Sequence, residues 1–156
     1  MSHDAAIALL DETMASLKDF QLATVQSVLD SYEQGASQRV LVADEVGLGK
    51  TIVAKGVIAE LLKTQLQQAG KRALKPPFRV TYICSNQTLA RENRAKLAVF
   101  KDFAQQQYVQ EPSYGRLITT AMTNNDHSPE KGKLLEVCSL TPSTSFNLTR
   151  GDGNWR

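Results

Sequence analysis

The sequence predicts an α/β fold, a parallel sheet with helices against its faces. Three observations carry that expectation. Two short apolar runs, "RVLVA" at 39–43 and "FRVTYICS" at 78–85, have the β-branched and aromatic composition of buried strands. Each is followed by a stretch with apolar residues at helical spacing. The first strand passes into its helix through "GLGKT" at 47–51, a glycine turn rather than an ordinary polar loop. Strands alternating with helices in this order imply a parallel sheet with right-handed crossovers.

The elements follow from the N-terminus. Residues 5–18 place Ile7, Leu10, Met14 and Leu17 on one helical face. "FQLATVQSVLDSYEQG" repeats the pattern with Phe20, Val25, Val28, Leu29 and Tyr32, and Gly35 should end that helix. After the glycine turn, Ile52, Val53, Val57, Ile58, Leu61 and Leu62 keep helical spacing. "KTQLQQAGKRALKPPFR" reads as a basic, polar connector, with Pro76-Pro77 stopping any helix. "NQTLARENRAKLAVFKDF" is again helical, with Leu89, Leu97 and Phe100 on one side, and Ser85 or Asn86 is placed to cap it. Further on, "GRLITTAM" and "KLLEVCSL" are each strand candidates around the loop "TNNDHSPEKG", and "TPSTSFNLTRGDGNWR" is rich in turn residues.

The chain of 156 residues suffices for one domain with a core. Its 42% hydrophobic and 22% charged residues are ordinary for a soluble globular protein, and a net charge of +2 is too small to argue for nucleic acid by itself. No apolar run approaches the ~20 residues of a membrane span, and the N-terminus lacks the layout of a signal peptide, so the expectation is a cytoplasmic protein without membrane contact. Cys84 and Cys138 sit in apolar, strand-like contexts and read as buried thiols; His3 and His127 have no ligand-type spacing to them.

The chemistry is concentrated in "RVLVADEVGLGKTIVAKGVIAELL", Arg39 to Leu62. A triphosphate needs backbone N–H donors, a backbone that can approach closely and the positive end of a helix. Gly47, Leu48 and Gly49 supply the loop. Lys50 is placed to reach the β- and γ-phosphates, and the Thr51 hydroxyl is placed to bind Mg²⁺. A solvated lysine in a glycine turn is the plain alternative; the strand before and the helix after weigh against it. In one respect the loop departs from the general pattern, which has glycine where this chain has Asp44.

"ADEVGLGKT" resembles motif I of superfamily 2 helicases, most closely the Swi/Snf-type translocases and their bacterial defence-type relatives, in which Asp also replaces the first glycine. "LKDFQLATVQSVL", Leu17 to Leu29, is similar to the family's pattern of Leu, two residues, an aromatic and then Gln. The resemblance implies that Gln21 reads the adenine ring, with Gln26 the competitor in the other register. "YICSNQTLARENRAKL" stands where the family carries motif Ia, which implies that Ser85, Asn86 and Gln87 grip the backbone of a nucleic acid, DNA ahead of RNA. A cap followed by a solvated basic helix face, Arg91, Arg94 and Lys96, explains the same residues. "LTPSTSF", Leu140 to Phe146, looks like the family's Thr-Pro motif. The resemblance covers residues 17–62 strongly and extends to about 103. It implies an incomplete RecA-like P-loop NTPase domain, with ATP and Mg²⁺ as ligands and nucleic acid as partner. Residues 1–35 would be N-terminal helices with the adenine-reading motif, and 36–156 the first part of the ATP-binding domain.

Hydrolysis needs more than a phosphate cradle: a second acid pair to hold Mg²⁺ and orient water, and an arginine to meet the developing charge. After residue 103 no apolar run ends in Asp-Glu, and Asp126, Glu130, Glu136 and Asp152 each lack that context. The expectation is therefore a chain that stops before the Walker B motif and lacks the second RecA-like domain of a helicase, with the catalytic residues unassigned. A stand-alone nucleotide-binding module is the alternative, and a small nucleotide kinase a third reading that the Gln21 motif opposes.

Overall fold

The computed structural model describes residues 3–35, 38–45, 47–70, 72, 78–97, 99–100 and 134–140. Among these described residues, four helices and two strands occur in the order α1 (His3–Ala15), α2 (Asp19–Glu33), α3 (Lys50–Ala69), β1 (Phe78–Ile83), α4 (Gln87–Leu97) and β2 (Leu135–Leu140).

Helix α3 is the centre of the arrangement, with α1, α2 and α4 all packed against it. With 20 residues it is the longest element among the described residues. It also runs past the expected boundary into "KTQLQQA", because Leu66 lies one turn beyond Leu62 and extends the same apolar stripe. Val53, Ile58, Ala59, Leu62 and Leu66 are buried along it. The main core joins Ile58, Ala59, Leu62 and Leu66 to Ala6 and Leu10 of α1, to Leu97, Val99 and Phe100, and to Leu134, Leu135 and Val137 around β2. Full burial of each large aliphatic side chain in such a core contributes about 1.5–3 kcal/mol.

Val25 of α2 packs on the other flank of α3, where Gly56 lets the helices close together, and Val28 is buried as well. A Cβ on Gly56 would lie 2.8 Å from Val25 Cγ2 and 2.9 Å from Leu17 Cδ1. The helix expected over 5–18 ends at Ala15, and the Ser16 hydroxyl turns back to donate to the Thr13 carbonyl at 2.7 Å. Gly35 follows the end of α2, as its position in the sequence suggests. Of the apolar positions expected inside α2, Val25 and Val28 are buried while Phe20 and Tyr32 remain exposed. Lys63 of α3 bonds Asp11 of α1 at 2.6 Å and approaches Glu60 at 3.8 Å. The Asp11 hydrogen bond is the main reason that the Lys63 ammonium titrates above its ordinary range, and burial opposes it in part.

β1 and β2 form a two-stranded parallel ladder from Phe78 opposite Leu135 to Ile83 opposite Leu140. Phe78, Val80 and Tyr82 turn toward the core, while Arg79, Thr81 and Ile83 are exposed on the other face. Tyr82 also accepts a hydrogen bond at its hydroxyl from Asn93 Nδ2 of α4, at 2.8 Å.

The expected fold class is overturned. The described residues are mostly helical, and they do not form the parallel sheet of an incomplete RecA-like P-loop NTPase domain. The decisive segment is 39–43, expected to be the central strand. Residues 38–45 have no regular secondary structure, and Leu41 is 88% exposed. An apolar run becomes a central strand only when neighbours on both sides satisfy its N–H and C=O groups. Among the described residues the two strands pair with each other, and neither pairs with this run. The strand expectations at 78–85 and within "KLLEVCSL" correspond to β1 and β2; "GRLITTAM" and "LTPSTSF" after Leu140 lie outside the described residues. Cys84 is half-buried rather than buried, just beyond β1.

Candidate phosphate-binding site

The site is the turn that starts α3. Gly47 and Gly49 have φ of 93° and 82°, in the left-handed region where a side chain is strained. Gly49 is the N-cap residue, and its carbonyl accepts from Ile52 N at 2.7 Å and Val53 N at 3.0 Å. Among the described residues no side-chain cap bond is made at this terminus, whose N-cap is a glycine. The Lys50 and Thr51 amides precede the first intrahelical bond, so the helix offers them, with its positive end, to whatever lies in front.

Lys50 is exposed, and its ammonium turns back over the turn. It donates to the Asp44 carbonyl at 2.7 Å and to the Glu45 carbonyl at 2.8 Å. Both acceptors are backbone oxygens, so the lysine closes the turn without using either carboxylate. Thr51 is half-buried one residue further on. The sequence offered Lys50 as a residue placed to reach phosphates; that it opens α3 and donates to these two carbonyls was not readable, because every residue carries a carbonyl.

Gln21 reaches this turn from α2. It is only 8% exposed, unusual for a glutamine. Its Oε1 accepts from Lys18 N at 3.1 Å, one arm of a capping box. Its Nε2 donates to the Leu48 carbonyl at 3.3 Å. Gln26, the other register, instead donates to Asp30 on its own exposed helix face at 2.9 Å. Lysine at the N-cap is not the usual signature of this cap, and neither it nor the reach of 27 residues to Leu48 was readable in the sequence.

The second group of expected contacts, Ser85, Asn86 and Gln87, lies at the start of α4. Asn86 Oδ1 accepts from Thr88 N at 2.7 Å and Leu89 N at 3.3 Å, so this terminus is capped by its own chain. Cys84 Sγ donates to the Asn86 carbonyl at 3.0 Å. Ser85 and Asn86 are exposed, as are Arg91 and Lys96 along the helix. Leu89, expected inward, is 50% exposed. Among the described residues there is no group of three His, Cys, Asp or Glu side chains able to hold a metal, and no helix long and apolar enough to cross a membrane.

The chain matches no family model, no curated protein and no solved structure.

Proposed function

We propose that the chain is the ATP-binding portion of an ATP-dependent nucleic-acid helicase or translocase. The observation that carries the phosphate half of this reading is the start of α3: two left-handed glycines, no side-chain cap, and Lys50 at the first helical position. Amides at a helix N-terminus and a lysine that can exchange carbonyl oxygens for phosphate oxygens are what a polyphosphate requires. Thr51 is the residue that would offer a hydroxyl to Mg²⁺ beside that phosphate. ATP as the nucleotide and DNA as the favoured partner rest on the resemblance of residues 17–62 and of the segment around Ser85, Asn86 and Gln87. A cytoplasmic location belongs to the same proposal, since such an ATPase works where nucleotide and nucleic acid are.

Binding alone does not accelerate hydrolysis; groups that act on the transition state must be present. An arginine supplied to such a site is worth about 10³–10⁵ in rate. Turnover by this chain is therefore proposed to stay near background. The test is titration of the purified chain with ATP and Mg²⁺, followed by phosphate release with and without single-stranded DNA. Saturable binding with background release supports the reading. Absence of saturable binding sinks it, and strong DNA-stimulated release would sink the part that concerns turnover.

A further inference from the structure

Two glycines at positive φ make the turn before α3 the most permissive piece of backbone in the site, and such a piece holds one shape only if something ties it. Gln21 is placed to do so. Its carboxamide is nearly buried, its oxygen is held by Lys18 N, and its nitrogen donates to the Leu48 carbonyl. That carbonyl shares a planar peptide unit with the Gly49 N–H, which points the opposite way in a trans peptide. Fixing the Leu48 oxygen toward α2 therefore fixes the Gly49 N–H away from it. Gly49 also has to be glycine for the contact to exist, because a Cβ there would lie 2.7 Å from Gln21 Nε2.

Resting on the phosphate-loop reading above, we propose that Gln21 is a positioning residue of that loop, which orients the Leu48–Gly49 peptide for a polyphosphate whatever base the ligand carries. A residue that only reads adenine would matter for ATP alone. A residue that sets the loop matters equally for a ligand with no base.

The experiment compares the full chain with Gln21→Ala and Gln21→Glu, using ATP, GTP and inorganic tripolyphosphate, each with Mg²⁺. Glutamate keeps an oxygen for Lys18 N and so keeps the start of α2, but it has no N–H for Leu48. Loss of one such bond is expected to weaken all three ligands by about two- to tenfold, in both variants, with the ATP-to-GTP ratio unchanged. Hydrogen exchange of the ligand-free chain should quicken over residues 47–53 and stay the same over 58–66. A loss confined to ATP, or Gln21→Glu matching the parent in binding and exchange, overturns the proposal while leaving the phosphate loop intact. Failure of the parent chain to bind any of the three overturns the phosphate-loop reading itself, and this inference with it.

Discussion

Helix α3 begins behind two glycines with no side-chain cap, whereas α4 begins beneath the carboxamide of Asn86, which accepts from both Thr88 N and Leu89 N. Both were expected to meet phosphate, α3 from a nucleotide and α4 from a nucleic-acid backbone. The difference between them shows how a helix start is committed. At α4 the oxygen that the amides need comes from the preceding residue, so a phosphate there competes with an internal partner that costs almost nothing to bring close. At α3 the N-cap glycine offers no side-chain oxygen, and the proposed ligand would compete instead for the Lys50 ammonium, which donates to the Asp44 and Glu45 carbonyls.

Lys50→Ala should break this contrast most severely. It removes a charged donor at the α3 start, and loss of a charged hydrogen-bond partner is worth about 1.5–3 kcal/mol, or roughly 10- to 150-fold in affinity. Calorimetric titration with MgATP checks it; unchanged affinity would make the two helix starts equivalent. Gly49→Ala comes next. The substitution forces a side chain into the left-handed region at φ 82° and toward Gln21 Nε2, and it should lower stability by about 1–2 kcal/mol in urea denaturation. A stability equal to the parent would show that the turn does not need its strained shape.

Asn86→Ala sharpens the comparison from the other side. It should cost about 0.5–2 kcal/mol of stability, the usual worth of such a cap, and leave MgATP affinity at the parental value. A drop in nucleotide affinity would mean that the two starts act as one site. Asp11→Asn should have the smallest effect and serves as a control away from both. It removes the main partner of Lys63, a partly exposed pair worth under about 1 kcal/mol. Because the folded state raises the Lys63 pKa above its ordinary 10.5, the pair's contribution is full below that value and fades as pH climbs through the raised one. Urea midpoints at pH 7 and near pH 11 should therefore differ more in the parent than in Asp11→Asn.

Helical elements were the readable part of this chain. Leu10, Val25, Val28, Val53, Ile58 and Leu62 are buried where their spacing put them, since a helix satisfies its own backbone and needs only one apolar face. Strand expectations fared unevenly for the converse reason. "FRVTYI" and "LEVCSL" became β1 and β2 by pairing with each other, while "RVLVA" has no ladder partner among the described residues. Partnership across the chain is not written in a local run. At the candidate site, the turn at Gly47 and Gly49 was legible because glycine is the residue that most readily adopts a positive φ. The Leu48, Asp44 and Glu45 carbonyls were not, because their role belongs to the fold of the turn rather than to any side chain.

The exposed run at 38–45 has a practical meaning once Lys50 is considered with it. Its last two residues, Asp44 and Glu45, are tied to the start of α3 through the Lys50 ammonium, which donates to both their carbonyls. A polyphosphate that takes the ammonium takes away those fastenings as well. Occupancy of the turn would then be visible to a protease, as a change in cutting beside Leu41, a residue that lies almost wholly in solvent.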